Sequence, residues 1–565
     1  MNRRHDIGPL IVLAGIIGLL SLWPLVRLGL EGIAPAGSLD PGILIDVLRS
    51  ESTWLSTWRS FDAALWSTLI SVALGSAVAL FVAVTDARAK AAFAFFFMLP
   101  LMIPPQITAL SWAQLAGPSS ALLQAFHLAP PLGSDNPMYS RGGIILLLGI
   151  QHAPLVFLTL RAGLRQIPSS MIFAARSCGA GPLRILLQII LPLLLPSFIA
   201  GGSLAYVSAI GNFGIPALLG IPASYTMLPT LIYRRLTSFG PSIISEVAVL
   251  SLLIGLLAFI GLAVQRKALA RTAQVAVELE GGGRVKPIRL ELGRLRLPAE
   301  VFAALLLTLI LIIPLVALFT TSLVPAYGVR VNLDTATLGN YTEVIFQQQV
   351  TARAFQNSFM LAAGAALVLA LLAIPLGYYT VWKRYRLAKF ACGLAELPYA
   401  LPGVVLAVAC ILIFLKPLPV IGIALYGTLA IIFFAYLARF CTLMLKPVNA
   451  GFGQINSDID RAAISLGAGL MTRMLRIIAP TIGPYAAAGG ILVFMTAFNE
   501  LTVSALLWSS GTETLGVLVF NMDDGGSTVL ASAVAVLCVL AIVVLMIAAQ
   551  IFSRWLPQGV LPWAE

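Results

Sequence analysis

Twelve runs of about twenty apolar residues constrain this chain more than any other feature. A run of that length crosses a bilayer as a helix, because hydrocarbon offers backbone N–H and C=O groups no partner outside the helix itself. The runs lie near 8–30, 63–84, 91–115, 142–160, 189–212 and 243–264, and again near 299–323, 356–380, 391–415, 424–445, 478–499 and 527–552. Only 10% of the residues are charged, against roughly 25% in a soluble domain. The expected fold class is all-α, a polytopic membrane protein of about twelve transmembrane helices with the lipid bilayer around it. Arg3 and Arg4 ahead of an apolar run resemble a signal peptide, but the run is long and no small-residue cleavage site follows, so it reads as the first span.

A formal charge of +12 invites a nucleic-acid partner, yet in a membrane chain Lys and Arg first serve to fix topology. With the N-terminus cytoplasmic, most of the 35 Lys and Arg fall in cytoplasmic segments short enough for the positive-inside rule. Both termini are then cytoplasmic, and no nucleic acid is expected. The cysteines (Cys178, Cys392, Cys410, Cys441, Cys538) avoid the outer loops, so no disulfide framework is implied. The outer segments, such as Glu31 to Ser60, Gly117 to Ser140 and Val324 to Thr351, are too short for a folded receptor domain. A soluble capture module must be another chain.

The chain repeats itself. Phe173 to Pro192 reads FAARSCGAGPLRILLQIILP and Arg461 to Pro480 reads RAAISLGAGLMTRMLRIIAP, with Gly179 and Gly467 separated by 288 residues. Pro196 with Gly201-Gly202 recurs as Pro484 with Gly489-Gly490 at the same spacing, and Leu99-Pro100 with Pro104 pairs with Leu397-Pro398 with Pro402. The halves are therefore homologous by internal evidence. Six spans per half is an even number, so the repeats enter the membrane in the same orientation. The expected division is a first half over 1–264, a cytoplasmic linker over 265–297 containing Gly281-Gly282-Gly283, and a second half over 298–565.

Each copy of the repeated loop carries the signals of a short helix stopped by glycine. In the second, Ser457 is placed to cap and Asp458 and Asp460 put negative charge at the helix start; in the first, Pro168-Ser169-Ser170 is a weaker start. Gly179 and Gly467 supply the left-handed position where the helix ends. Small residues on a cytoplasmic surface, Ala174 and Ala175 or Ala462 and Ala463, let another backbone approach closely, and two such platforms suit a two-fold partner.

These residues resemble the cytoplasmic loop motif of ABC importer permeases, an acidic residue before Ala-Ala, then Gly, then Ile-any-Leu-Pro. With both halves fused and the motif present twice, the chain is similar to the ferric-iron permease group, related to fused thiamine permeases, over nearly its whole length. The resemblance implies an inner-membrane transport subunit without enzymatic activity. Ala174, Ala175, Gly179, Ala462, Ala463 and Gly467 would form coupling helices for two ATP-binding cassette subunits. Those subunits bind ATP and Mg, this chain binds no cofactor, and a periplasmic substrate-binding protein delivers the cargo. Two departures stand out: the acidic position is Phe173 in one copy and Arg461 in the other, with Asp460 one place earlier, and Ala479 replaces the Leu.

Ionisable residues inside a bilayer are site candidates by default. Glu500, in Ala497-Phe498-Asn499-Glu500, leads, and its counterpart across the repeat is Asn212. Oxygen and amide groups there suit a hard cation or a polar solute, or alternatively Glu500 caps a helix in water. Glu396 lies two turns past Lys389 and is a further pathway candidate; His152 reads as a packing residue, and the three scattered histidines form no metal cluster.

Ferric iron is the expected cargo by resemblance, with thiamine, a polyamine or a phosphonate as alternatives. A self-contained secondary transporter shares the six-plus-six architecture but has no need of two identical platforms between the fourth and fifth spans. No nucleophile, metal or carboxylate pair supports a membrane enzyme, and no Gly-x-x-x-x-Gly-Lys-Ser/Thr phosphate loop is present.

Overall fold

A computed structural model describes residues 3–34, 42–131, 133–165, 167, 169–238, 240, 242–279, 292–417 and 422–552. The Gly281–Gly283 stretch of the expected linker and Pro168 of the first loop lie outside those residues. Among the described residues the chain is helical, with no strand element. Unbroken apolar helices form span 1 (Ile7–Ile33), span 2 (Glu51–Val84), span 4 (Arg141–Leu164), span 5 (Pro182–Ile210), span 6 (Ile243–Ala268), span 7 (Gly293–Ser322), span 8 (Gln349–Trp382), span 10 (Leu429–Gln454), span 11 (Leu470–Phe498) and span 12 (Thr528–Phe552).

The third run of each half is not one straight helix. Lys90–Met102 and Pro105–Ala125 meet at 99°, and Arg386–Ala400 and Gly403–Phe414 meet at 107°. The cause is local: proline lacks an N–H and pushes the residue before it out of the helical region. Ile103 (ψ 132°) and Pro104 (ψ 136°) are accordingly non-helical in one break, as are Leu401 (ψ 149°) and Pro402 (ψ 139°) in the other.

A bent pair of helices either crosses the membrane or turns back, and the neighbouring spans decide between these. Arg141 pairs with Asp62, Ser71 donates to the Gly149 carbonyl, and Gly75 lies against Ala153 and Phe157. Residue number rises along both helices, so spans 2 and 4 are parallel, and the chain between them must return across the bilayer. In the second half Gly364 lies against Phe433 and Gly377 against Phe452, and Trp382 donates to the Phe452 carbonyl. Spans 8 and 10 are parallel by the same criterion. Each bent pair is therefore one crossing, span 3 and span 9, and each half has six. Side chains at Gly75 and Gly149 would collide with Ala153 and Ile70, so the small residues at this crossing are what let two long helices meet closely.

Spans 2, 4 and 5 form the packed centre of the first half and spans 8, 10 and 11 that of the second. The first span of each half crosses over: span 1 packs on span 9, and span 7 packs on spans 3 and 12. Helix after Ile243 runs without interruption to Leu279, so the segment after residue 264 begins as a continuation of span 6. Its far end returns to the first half, where the Leu292 N–H donates to Asp86 and Arg296 pairs with Asp86. Span 7 thus starts at the membrane face where span 2 ends, and span 8 returns to that face. Both repeated loops consequently lie on one side of the molecule.

Candidate functional site: the paired loops and the span breaks

The loop helices are Ser169–Ser177 and Asp458–Ser465. Each ends in the same pair of hydrogen bonds. The Gly179 N–H reaches the Arg176 carbonyl (2.9 Å) and the Ala180 N–H the Ala175 carbonyl (3.0 Å); Gly467 reaches Ile464 (2.9 Å) and Ala468 reaches Ala463 (3.0 Å). This is a Schellman cap, which needs a left-handed residue after the helix, and Gly179 (φ 78°) and Gly467 (φ 79°) supply it. Nothing lies within 4 Å of a β-carbon built on either glycine, so backbone conformation, not crowding, demands them. Ala174 and Ala462 are exposed, Ala175 is half-buried and Ala463 buried. After each cap come a helical turn, a π-turn (Leu186–Ile190 or Met474–Ile478) and the body of span 5 or span 11. The π-turn precedes Pro192 or Pro480, whose ring lacks the N–H an α-helix would use there.

The expected cap by Ser457 is not made: its side chain accepts no hydrogen bond, and Asn456 Oδ1 instead receives the Asp458 N–H at 3.0 Å. Asp460 also behaves differently from an acidic docking residue. A helix turns about 100° per residue, so a carboxylate one place before the motif position faces another way. Arg461 is the exposed residue, paired with Asp458 at 3.2 Å, while Asp460 is buried.

Asp460 accepts from Arg473 (2.5 Å), from the Tyr378 hydroxyl (3.0 Å) and from Lys383 Nζ (3.0 Å), and Arg473 also donates to Tyr378 (3.0 Å). Burial works against the Lys383 charge, but its hydrogen bonds to Tyr378 and Asp460 hold the ammonium above its ordinary pKa. The residues 288 places earlier than Asp460 and Arg473 are Ile172 and Ile185, both buried in the apolar core. At these two positions the second loop is fastened by ions and the first by hydrocarbon. Removing one partner of a buried pair costs about 3–5 kcal/mol, whereas replacing the whole pair by apolar groups is often neutral.

At the opposite end of spans 5 and 11 the pathway candidates meet the span breaks. Asn499 donates to the Met102 carbonyl at 2.7 Å, bridging the second half to the break of span 3. Gly211, its counterpart, lies against Pro402 at the break of span 9. Asn212 Oδ1 receives the Ile215 N–H (3.1 Å), and Glu500 receives those of Val503 (2.8 Å) and Ser504 (3.1 Å). Both counterparts therefore cap the turn that follows their span, and both are buried. Glu500 caps as one sequence alternative has it, but in the protein interior, not in water. Glu396 lies exposed on the first segment of span 9, apart from this group.

Sequence reading missed three neighbours. Gln151 on span 4 donates to the Pro100 and Ile103 carbonyls (2.5 and 3.1 Å), which the break leaves free. Its counterpart 288 residues on is Arg439, whose charge acts on Glu500 and whose guanidinium lies against Gly403. Two amides in the first half thus stand where an acid and a base stand in the second, a coupled change visible only once the spans are aligned in space. Gln106, fully buried and with no hydrogen-bond partner for its side-chain amide among the described residues, lines a crevice with Pro104, Phe498, Asn499, Gly516 and Cys538 that is closed to a water molecule. His152 is buried and bonded to the Leu148 carbonyl at 2.8 Å, the packing role expected of it. Among the described residues no three His, Cys, Asp or Glu come together to hold a metal ion.

Residues 71–271 and 370–561 each match the family described as binding-protein-dependent transport system inner membrane component. A protein of Sinorhizobium fredii named as an ABC transporter permease is 27% identical over 485 residues, 83% of each chain. The ferric transport system permease protein of Actinobacillus pleuropneumoniae is 23% identical over 561 residues, 98% of this chain and 78% of the relative. A Salmonella choleraesuis protein named as a 2-aminoethylphosphonate transport permease is 30% identical over 234 residues, 40% of this chain and 79% of the relative. The last match aligns most of a shorter protein with under half of this one. The chain belongs to the family of binding-protein-dependent transport system inner membrane components, as an ABC importer permease whose two halves are fused in one polypeptide.

Proposed function

We propose that this permease carries ferric iron, as substrate, from a periplasmic binding protein to the cytoplasm by ATP-driven alternating access. Two ATP-binding cassette subunits, holding ATP and Mg, engage the loops at Ala174, Ala175, Gly179 and Ala462, Ala463, Gly467. Closure of those subunits draws the two loops together, and the halves 1–264 and 298–565, joined by the linker 265–297, rock to open the path outward. The face carrying the loops and both termini is cytoplasmic, as the distribution of Lys and Arg supports. The single observation that carries this reading is the repeated loop, with one cap geometry in two copies on one face. Iron as cargo rests on relatives named for ferric transport that align over most of this chain. Asn212, Asn499, Glu500 and Glu396 are proposed to line the pathway.

A second reading takes a phosphonate as cargo, on the strength of the relative named for 2-aminoethylphosphonate. The test is stimulation of ATPase activity in the reconstituted complex by its binding protein. Stimulation by the ferric-loaded binding protein, with uptake of labelled iron into vesicles, supports the first reading. Stimulation only by the 2-aminoethylphosphonate-loaded protein replaces it with the second.

A further inference from the structure

We infer that the cluster of buried Asp460, Arg473 and Tyr378 with half-buried Lys383 is a strut that carries motion of the second loop helix into span 8, through loop and span-11 positions whose counterparts in the first half are apolar. The inference rests on the proposal that the loops dock ATPase subunits. Asp460 belongs to the loop helix and Arg473 to the start of span 11, so their contact alone would only fix the loop to the span it precedes. Tyr378 and Lys383 add a different element: they sit on either side of the π-turn end at Trp382, where span 8 finishes. Tyr378 is fully buried and donates to Asp460 while accepting from Arg473; Lys383 donates to Asp460 and its ammonium lies 5.2 Å from the centre of the Tyr378 ring. Asp460 has therefore three donors from two spans, and the loop helix cannot shift without moving both or breaking directional bonds.

The first half provides the comparison. Ile172 and Ile185 occupy the equivalent places with full burial but no directional bond. Apolar contacts slide at small cost because the attraction has no preferred direction, whereas charge-assisted hydrogen bonds hold a fixed geometry. A pair of isoleucines satisfies the packing need in this fold, so the ionic version supplies something packing does not require. Both loops share one cap, one π-turn and one proline, and at these two positions they differ in how the loop is tied to the rest of its half. Tyr378, Lys383, Asp460 and Arg473 are thus positioning residues for transport, acting through span 8.

The test uses the full complex of permease, ATPase subunits and binding protein. Tyr378→Phe with Lys383→Met cuts the link to span 8 while keeping the Asp460–Arg473 pair buried and matched. The expected result is a melting temperature lowered by only a few degrees, as for the loss of the hydrogen bonds removed, with unchanged co-purification with the ATPase subunits and unchanged basal ATPase activity, and with stimulation by the loaded binding protein reduced about tenfold. Asp460→Ile with Arg473→Ile copies the first half and should give the same pattern. Stimulation at the wild-type level in both variants would overturn the strut, and so would parallel loss of assembly in both, which would make the cluster a folding element only. Co-purification that survives bulky substitutions at Ala174 and Ala462 would instead remove the docking proposal, a failure these readouts keep separate.

Discussion

At the scale of single residues, the interior of this permease is governed by the cost of leaving polar groups unpaired in a medium without water. Gln151 meets that cost by donating to two carbonyls freed at the break of span 3. Gln151→Leu should lower stability by roughly 1–3 kcal/mol, the usual cost of orphaned buried acceptors, read as a lower melting temperature of the detergent-solubilised chain. Glu500→Gln keeps one acceptor for the Val503 and Ser504 amides, so assembly should persist while uptake falls; normal uptake across substrate concentrations would leave Glu500 with capping alone. Charge and spacing made Glu500 and Asn212 legible as a pair in the sequence. Their shared capping role was not, because it depends on where the chain turns after spans 5 and 11. Nor was the inward direction of Asp460, since a one-residue offset reads as a near match in a string but as a rotation of about 100° on a helix.

At the scale of elements, the loop helices owe their identical ends to glycine. Gly179→Ala and Gly467→Ala would force a β-carbon into left-handed backbone, at a cost of about 1 kcal/mol each. The amide of Ala180 or Ala468, which closes the longer bond of the cap, should then exchange its hydrogen about fivefold faster. Native-rate exchange at both would mean that the cap is held by something other than its glycine. Here the sequence was informative, since helix, glycine stop and proline follow one another in both copies. The span breaks were less so. Pro104 and Pro402 were visible as a repeated pair, and proline accounts for a break there, but it does not set the angle near 100°. That angle goes with the packing of Gly211 on Pro402 and of Asn499 on Met102, contacts between halves that lie far apart in sequence.

At the scale of the whole molecule, two parallel six-span halves exchange their first spans, with span 1 on span 9 and span 7 on span 3. The count of spans and their duplication followed from hydropathy and a fixed spacing of 288 residues. The exchange did not, because hydropathy records which segments avoid water and not which ones touch. An exchanged architecture ties each half to the break of the other, and this suits the proposed mechanism, in which the halves move as units while two loops on one face receive force. That central claim is tested most directly by native mass spectrometry of the permease purified with its ATPase subunits. The wild-type chain should carry two of them, and Ala174→Trp with Ala462→Trp, which place a bulky ring on the exposed small face of both loops without disturbing either glycine cap, should carry none. Two ATPase subunits still bound to that double variant would contradict the account.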